Sequence, residues 1–138
     1  MRRHWRISRL GPGLLALGLA GCAPGPEAPE PEPEEFNPEY LGVETKLLED
    51  DLVNLVVAMK GARDGQDVAD YARCAAAQYT LIRGYGFARQ VRTTASEQGG
   101  LWTGDAVYTI SAELPQGLQT LDAETELDRC KEQGIPAV

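Results

Sequence analysis

The sequence predicts an α+β fold in which one helix packs on a small antiparallel sheet, with the element order β-α-β-β-β. Three patterns lead to this fold class: alternating apolar residues before residue 60, an Ala-rich amphipathic segment over 68–83, and two alternating segments joined by a turn near residue 98. All three lie within residues 41–138, a length that suits one domain with a single hydrophobic core.

The first strand is predicted within Leu48–Lys60, where every second residue is apolar. Those apolar positions are Val53, Leu55, Val57 and Met59. After a Gly-rich turn over 61–65, a helix is predicted over Val68–Arg83, with Asp67 as its N-cap and Gly84 as the left-handed residue beyond its end. The Ala-rich composition favours this helix, and one face of it is apolar.

Two further strands are predicted over Phe87–Ser96 and Leu101–Glu113, with a hairpin turn over 97–100. The segment 121–133 admits two interpretations, because strict alternation predicts a strand to Leu127 while Ala123, Leu127 and Cys130 also have helical spacing. We adopt the strand, followed by a helical turn from Asp128. Its acidic residues then form a solvated row on one sheet face: Asp122, Glu124, Glu126 and Asp128.

Residues 1–21 are built like an export signal, since four arginines precede a short apolar segment that ends in small residues. The uninterrupted apolar run over 14–21 is far shorter than the roughly twenty residues that a transmembrane helix needs. The run ends in Leu19-Ala20-Gly21-Cys22, which resembles the lipobox of bacterial lipoproteins.

This resemblance implies that the chain is cleaved between Gly21 and Cys22, and that Cys22 carries a diacylglycerol on its sulfur and an acyl chain on its new amino group. It also implies an outer-membrane location facing the periplasm rather than the inner membrane, because Ala23 stands where an Asp would mark inner-membrane retention. The order of elements between Val53 and Leu127 is loosely similar to that of small envelope lipoproteins, a likeness that carries no site residue.

The segment 22–40 is rich in alternating Pro and Glu and has almost nothing apolar to bury. Proline prevents a helix there, and repulsion between the glutamates favours an extended chain. At about 3.1 Å per residue, residues 23–38 would reach about 50 Å. We therefore expect a solvated tether that holds the domain away from a membrane surface.

The odd number of three cysteines is explained if Cys22 is lipidated, since Cys74 and Cys130 then remain as a pair. In an oxidising compartment outside the cytoplasm, two such cysteines are predicted to form a disulfide. It would close a loop of 57 residues, counting both cysteines. In the chain-entropy estimate a loop of that length stabilises the fold by about 4 kcal/mol.

Several function classes are disfavoured by composition. The 21 acidic residues outnumber the 13 basic ones, and no basic cluster is available to bind nucleic acid. The single histidine, His4, would leave with the export signal, so the mature chain could form neither a Ser-His nor a Cys-His nucleophile. We predict no catalytic residue, no metal ligand and no cofactor apart from the lipid on Cys22.

The sequence thus predicts a lipid-anchored cell-envelope protein that is a non-enzymatic interaction or structural module, with an unidentified envelope protein or glycan as partner. The alternative is a periplasmic ligand-binding protein or enzyme that uses the region Arg83–Arg92. Aromatic and guanidinium groups around flexible glycines suit a glycan or an anionic ligand. The candidate contacts are Arg83, Tyr85, Phe87, Arg89 and Arg92.

Overall fold

The computed structural model describes residues 35–136 and four isolated glycines at positions 11, 13, 21 and 25. The predictions on the export signal, on Cys22 and on most of the tether therefore lie outside the described residues. Within the described part, no helix is long and apolar enough to cross a membrane.

The described chain forms five strands and two helices. They are β1 (Glu39–Glu49), β2 (Leu52–Lys60), α1 (Gly65–Ile82), β3 (Phe87–Gln98), β4 (Leu101–Ser111), β5 (Thr120–Asp122) and α2 (Ala123–Glu132). The strands form one sheet in the order β1-β2-β4-β3-β5, and every neighbouring pair is antiparallel. The α+β class and the antiparallel sheet are confirmed, but the predicted order β-α-β-β-β is wrong because it lacked β1 and α2.

Strand β1 explains the first difference. The predicted strand began at Leu48, whereas Leu48 belongs to β1 and a turn at Asp50–Asp51 separates it from β2. β1 is an edge strand, so Leu41 and Leu47 are 46% and 42% exposed and its side chains do not show a clear apolar alternation. A strand of this kind leaves a weak periodic signal.

The predicted strand up to Leu127 is also wrong, because β5 ends at Asp122 and α2 follows directly. The Asp122 carboxylate accepts a hydrogen bond from the Thr125 backbone N–H at 3.2 Å and so caps the helix. Ala123 and Cys130 are both buried, as their helical spacing requires. The solvated acidic row is wrong for the same reason, since Glu126 is buried on this helix.

Helix α1 begins one turn earlier than predicted. Its N-cap is Asp64 rather than Asp67, since the Asp64 side chain accepts the Gln66 and Asp67 backbone N–H groups. Gly84 has the predicted left-handed conformation, with φ of +81°. α1 packs on β2, β4 and β3, and α2 packs against α1 and β5.

The core lies between α1 and the sheet. The predicted inward residues of β2, from Val53 to Met59, are fully buried, and they meet Ala106, Tyr108 and Ile110 of β4. β4 has Gly104 where α1 crosses it, and a Cβ built there would lie 2.7 Å from Val68 Cγ1. The glycine therefore permits a close approach of helix and strand.

The predicted disulfide is confirmed. Cys74 of α1 and Cys130 of α2 are bonded, their Cα atoms are 6.0 Å apart, and their residues are 1% and 2% exposed. The bond ties the second helix to the first in a fully buried position, as is typical of a structural disulfide.

Candidate functional site

One face of the sheet is covered by no described helix or strand, because α1 packs on the opposite face and α2 packs against α1 and β5. We call this surface the open face. Its residues alternate with the core residues along the strands, and register brings them side by side. They include Asn54, Val56 and Ala58 of β2, Thr103, Asp105, Val107 and Thr109 of β4, and Phe87, Arg89, Arg92 and Thr94 of β3.

Hydrogen bonds and an ion pair join three strands across the open face. Asn54 Nδ2 donates to Asp105 Oδ1 at 2.8 Å and to the Ala106 carbonyl at 3.1 Å. Arg92 Nη1 lies 3.4 Å from Asp105 Oδ1 and donates to Thr94 Oγ1 at 3.2 Å. Since Arg92 and Asp105 are about half exposed, this ion pair contributes little to stability, but it orients polar groups on the surface.

Beside these polar groups lie apolar side chains. Val56 and Ala58 are half-buried on β2, and Val107 of β4 is only 6% exposed although it points away from the helices. Mixed apolar and hydrogen-bonding surface is typical of protein-recognition patches.

A β-bulge at Val91 sets which side chains of β3 join the open face. Gln90 pairs with Tyr108, and the next paired residue is Arg92, opposite Val107. One extra residue therefore returns Arg92 to the same face as Arg89. Without the bulge, Arg92 would point toward α1.

The structure disperses the five predicted contact residues. Arg83 ends α1, Tyr85 packs against the edge of the core, and Phe87, Arg89 and Arg92 share the open face. None of the five lines either of the two clefts described next. The Arg89 guanidinium instead lies against the loop at Gly117, where a Cβ would be 3.2 Å from Arg89 Cζ.

The first cleft, of about 240 Å³, lies between the start of β1 and the start of α1. Arg63 dominates it: the guanidinium stacks on the Phe36 ring at 3.9 Å and donates two side-chain hydrogen bonds to Asp67, at 2.8 and 3.0 Å. Tyr40 packs edge-on against Tyr71 nearby, with ring centroids 4.7 Å apart. These contacts fix the entry of the chain into the sheet.

The Arg63–Asp67 pair predicts an acid-sensitive contribution to stability. Hydrogen bonds from the Arg63 side chain and backbone hold the pKa of Asp67 below its ordinary value, although burial opposes them. Because the pKa of Asp67 is lower in the folded state than in the unfolded state, the ionised carboxylate stabilises the fold at any pH above the unfolded pKa of about 3.9. This stabilisation is lost as the pH falls through the pKa of the folded state. Asp67→Asn is therefore expected to be less stable than wild type at pH 7, with a difference that shrinks below about pH 4.

Urea denaturation of both proteins across this range measures the difference. The matched control is Asp70→Asn, which removes one negative charge from a residue whose hydrogen-bond donor is the neutral Gln66 side chain. Equal pH profiles for the two variants would contradict the role of the Arg63–Asp67 pair.

The second cleft, of about 270 Å³, lies between α1 and β3. Its lining is mostly polar and includes Gln66, Asp70, Arg73, Gln90, Thr93 and Gln119. At its base the Tyr108 hydroxyl donates to Gln90 Oε1 at 3.3 Å, and burial raises the pKa of Tyr108 to about 12. The tyrosine thus remains protonated at neutral pH.

Beside this cleft a buried carboxylate holds the two helices together. Glu126 of α2 lies with its Oε1 2.9 Å from Arg73 Nε of α1, and Arg129 Nε donates to the same oxygen at 3.0 Å. The sequence interpretation missed this arrangement because it placed Glu126 on a solvated strand; the helical spacing of Ala123, Leu127 and Cys130 was the signal that could have found it.

Glu126 also lies near the disulfide, so that ligand-type atoms of Cys74, Glu126 and Cys130 come within 4.8 Å of one another. Metal binding requires thiolates, whereas these sulfur atoms are bonded to each other. The Glu126 carboxylate is already paired with Arg73 and Arg129. The cluster is therefore a disulfide beside an ion pair.

Comparison with known proteins places the domain in a family. Residues 40–134 match the model of the YNQ4 C-terminal domain. The "Uncharacterized 26.9 kDa protein in nqo8 5'region" of Paracoccus denitrificans is 33% identical over 88 residues, which are 64% of this chain and 34% of that protein, so the chain spans about a third of its relative. No solved structure matches the chain. Since the matched residues include every described strand and helix except the first residue of β1, the chain belongs to the YNQ4 C-terminal domain family.

Proposed function

We propose that this chain is a lipid-anchored cell-envelope protein whose α+β domain is a non-enzymatic interaction module, and that the open face binds the partner. The observation that carries the proposal is the open face itself, on which three neighbouring strands present hydrogen-bonding and apolar groups away from the helices. A surface of this kind suits recognition of another macromolecule more than enclosure of a small one.

The clefts agree with this proposal. Their volumes of about 240 and 270 Å³ lie below the 300 to 1,000 Å³, roughly, that is usual for small-molecule pockets. Within residues 35–136, the shifted pKa values belong to three tyrosines, two arginines and Asp67, and burial or ion pairing accounts for each of them. Each of these groups is therefore engaged in the packing or the ion pairs of the fold.

The membrane part of the proposal is supported by Leu19-Ala20-Gly21-Cys22 and by the basic and apolar residues before it. Two or more acyl chains on one cysteine anchor a protein stably, whereas a single chain binds marginally. With Ala23 after the cysteine, we propose the outer membrane, facing the periplasm, as the location. The Pro- and Glu-rich segment would then hold the open face within reach of an envelope protein.

Substitution of Cys22 tests the anchor. Wild-type protein is expected in the membrane fraction with incorporated fatty acid label, whereas Cys22→Ala is expected to lose the label and leave that fraction, because no other residue of the signal offers a thiol for a thioether. Cys74→Ala with Cys130→Ala is the matched control, since it removes thiols without touching the lipobox. Membrane retention of Cys22→Ala at unchanged mass would overturn the anchor.

Site-specific photocrosslinking in intact cells tests the open face. A photoreactive residue at Thr94, on the open face, is expected to capture a partner, and the same residue at the exposed Lys131 of α2 is the control. Mass spectrometry of the captured species separates a protein from a glycan. Capture from position 131 with none from position 94 would assign recognition to the helical side and overturn this part of the proposal.

A further inference from the structure

Strand β1 offers a second recognition element, the free edge of the sheet. It pairs with β2 along one edge, and among residues 35–136 no strand pairs with its other edge. Bulges at Leu41 and Leu48 interrupt the pairing near both ends, leaving a regular segment over 42–47. Bulges and a lysine are common protection for an exposed edge, yet between them, from Val43 to Leu47, the backbone groups that face away from β2 have no partner strand among the described residues.

We propose that two copies of this chain associate through β1, antiparallel and in register about Thr45, so that their two sheets become continuous. The occupant of the free edge is therefore a second copy, and the interface is symmetric. The inference does not depend on partner binding by the open face or on the lipid, because every contact in it is made by β1 residues, although Glu44 and Lys46 lie on the same side of the sheet as Asn54 and Val56.

Charge complementarity selects the register. In an antiparallel pair related by a two-fold axis perpendicular to the sheet, opposing residues must point to the same face. Glu44 and Lys46 share one face of β1, lie 3.5 Å apart and are 67% and 61% exposed. An axis through Thr45 sets Glu44 of each copy opposite Lys46 of the other and forms two cross-strand ion pairs.

Neighbouring registers are disfavoured by the same charges. An axis through Glu44 would set the two Glu44 side chains opposite each other, and an axis through Lys46 would do the same for the two lysines. Like charges directly opposite each other destabilise an antiparallel pair. Of the three possible centres, Glu44, Thr45 and Lys46, only Thr45 therefore places opposite charges across from each other.

Apolar groups follow the same symmetry. Val43 of one copy faces Leu47 of the other, and Leu47 is 42% exposed in the single chain. The pairing therefore gives the exposed Leu47 side chain an apolar partner.

Charge reversal in the purified full-length protein tests the proposal by sedimentation equilibrium. Wild type is expected to dimerise, and Glu44→Lys and Lys46→Glu are each expected to weaken the dimer about tenfold or more, because each converts both ion pairs into like-charge contacts. The double variant Glu44→Lys with Lys46→Glu restores opposite charges and is expected to recover the wild-type dissociation constant. Thermal melts of each variant verify that the charge changes leave the fold intact.

Cysteine crosslinking supplies a second measurement of the register. Thr45→Cys is expected to form a crosslinked dimer under mild oxidation, since the axis brings the two copies of position 45 together. Ser96→Cys, on the exposed part of β3, is the control and is expected to remain uncrosslinked. A monomer at all concentrations, a dimer that ignores both single reversals, or crosslinking at position 96 instead of 45 would overturn the proposal.

Discussion

Replacing Cys74 and Cys130 together with alanine is expected to lower the free energy of unfolding by about 4 kcal/mol. The bond closes a long loop, with a sequence separation of 56, and its loss returns conformational freedom to the unfolded chain. Both residues are almost fully buried, so alanine avoids placing a new hydroxyl in the core. A loss of this size is a large share of the roughly 5 to 15 kcal/mol that stabilises a typical domain.

Urea denaturation, monitored by tryptophan fluorescence, measures this loss. The oxidised wild type is compared with the reduced wild type and with the double variant, and the latter two are expected to unfold at similar urea concentrations. Cys22→Ala is the matched control, because it removes one cysteine and keeps the disulfide. A loss under about 1 kcal/mol in both comparisons would mean that packing between the helices, rather than the covalent link, holds α2 in place.

Gly104→Ala is expected to destabilise the domain by about 1 to 3 kcal/mol, because a side chain there overpacks the helix–sheet interface. The new Cβ would lie 2.7 Å from Val68 Cγ1 and 2.9 Å from Val57 Cγ2, distances so short that the valine side chains or the backbone around them must shift. For a domain of about a hundred residues, each kcal/mol lowers the melting temperature by about 4 to 8 °C. Differential scanning calorimetry measures this change directly.

Gly86→Ala is the matched control for that experiment. Gly86 has no atom within 4 Å of its built Cβ and is not in the left-handed region, so its substitution is expected to change stability little. Val68→Ala removes the atom that lies closest to the new Cβ. The double variant Gly104→Ala with Val68→Ala is therefore expected to lose less free energy of unfolding than the two single variants lose in total. Strict additivity would place the cause outside the contact with Val68.

The strongly periodic elements of the fold could be predicted from the sequence. Four alternating apolar residues indicate β2, and an Ala-rich stretch ending at Gly84 indicates α1. Both elements are buried on one face, and such burial requires apolar residues at regular spacing. β1 has no such spacing because it is an edge strand with exposed leucines. α2 was misread because its acidic and apolar residues also alternate as in a strand, and the helical spacing of Ala123, Leu127 and Cys130 was given less weight.

The candidate surface was less accessible to prediction. The sequence identified Arg89 and Arg92 as neighbours, but it could not show that a bulge at Val91 returns Arg92 to the face of Arg89. Nor could it show that Asn54 and Asp105, which are 51 residues apart, meet across two strands. Contacts between distant residues depend on strand order and register, and local patterns contain neither.

The disulfide can form only after most of the domain has been synthesised. Cys74 precedes its partner by 56 residues, so at about 5 to 20 residues per second several seconds of synthesis pass before the second thiol exists. By the end of that interval α1, all five strands and most of α2 have been made, since β5 ends at Asp122 and α2 begins at Ala123. The bond therefore closes in a chain that already contains every strand of the sheet, and its presence in a molecule shows that α2 has been made at least as far as Cys130.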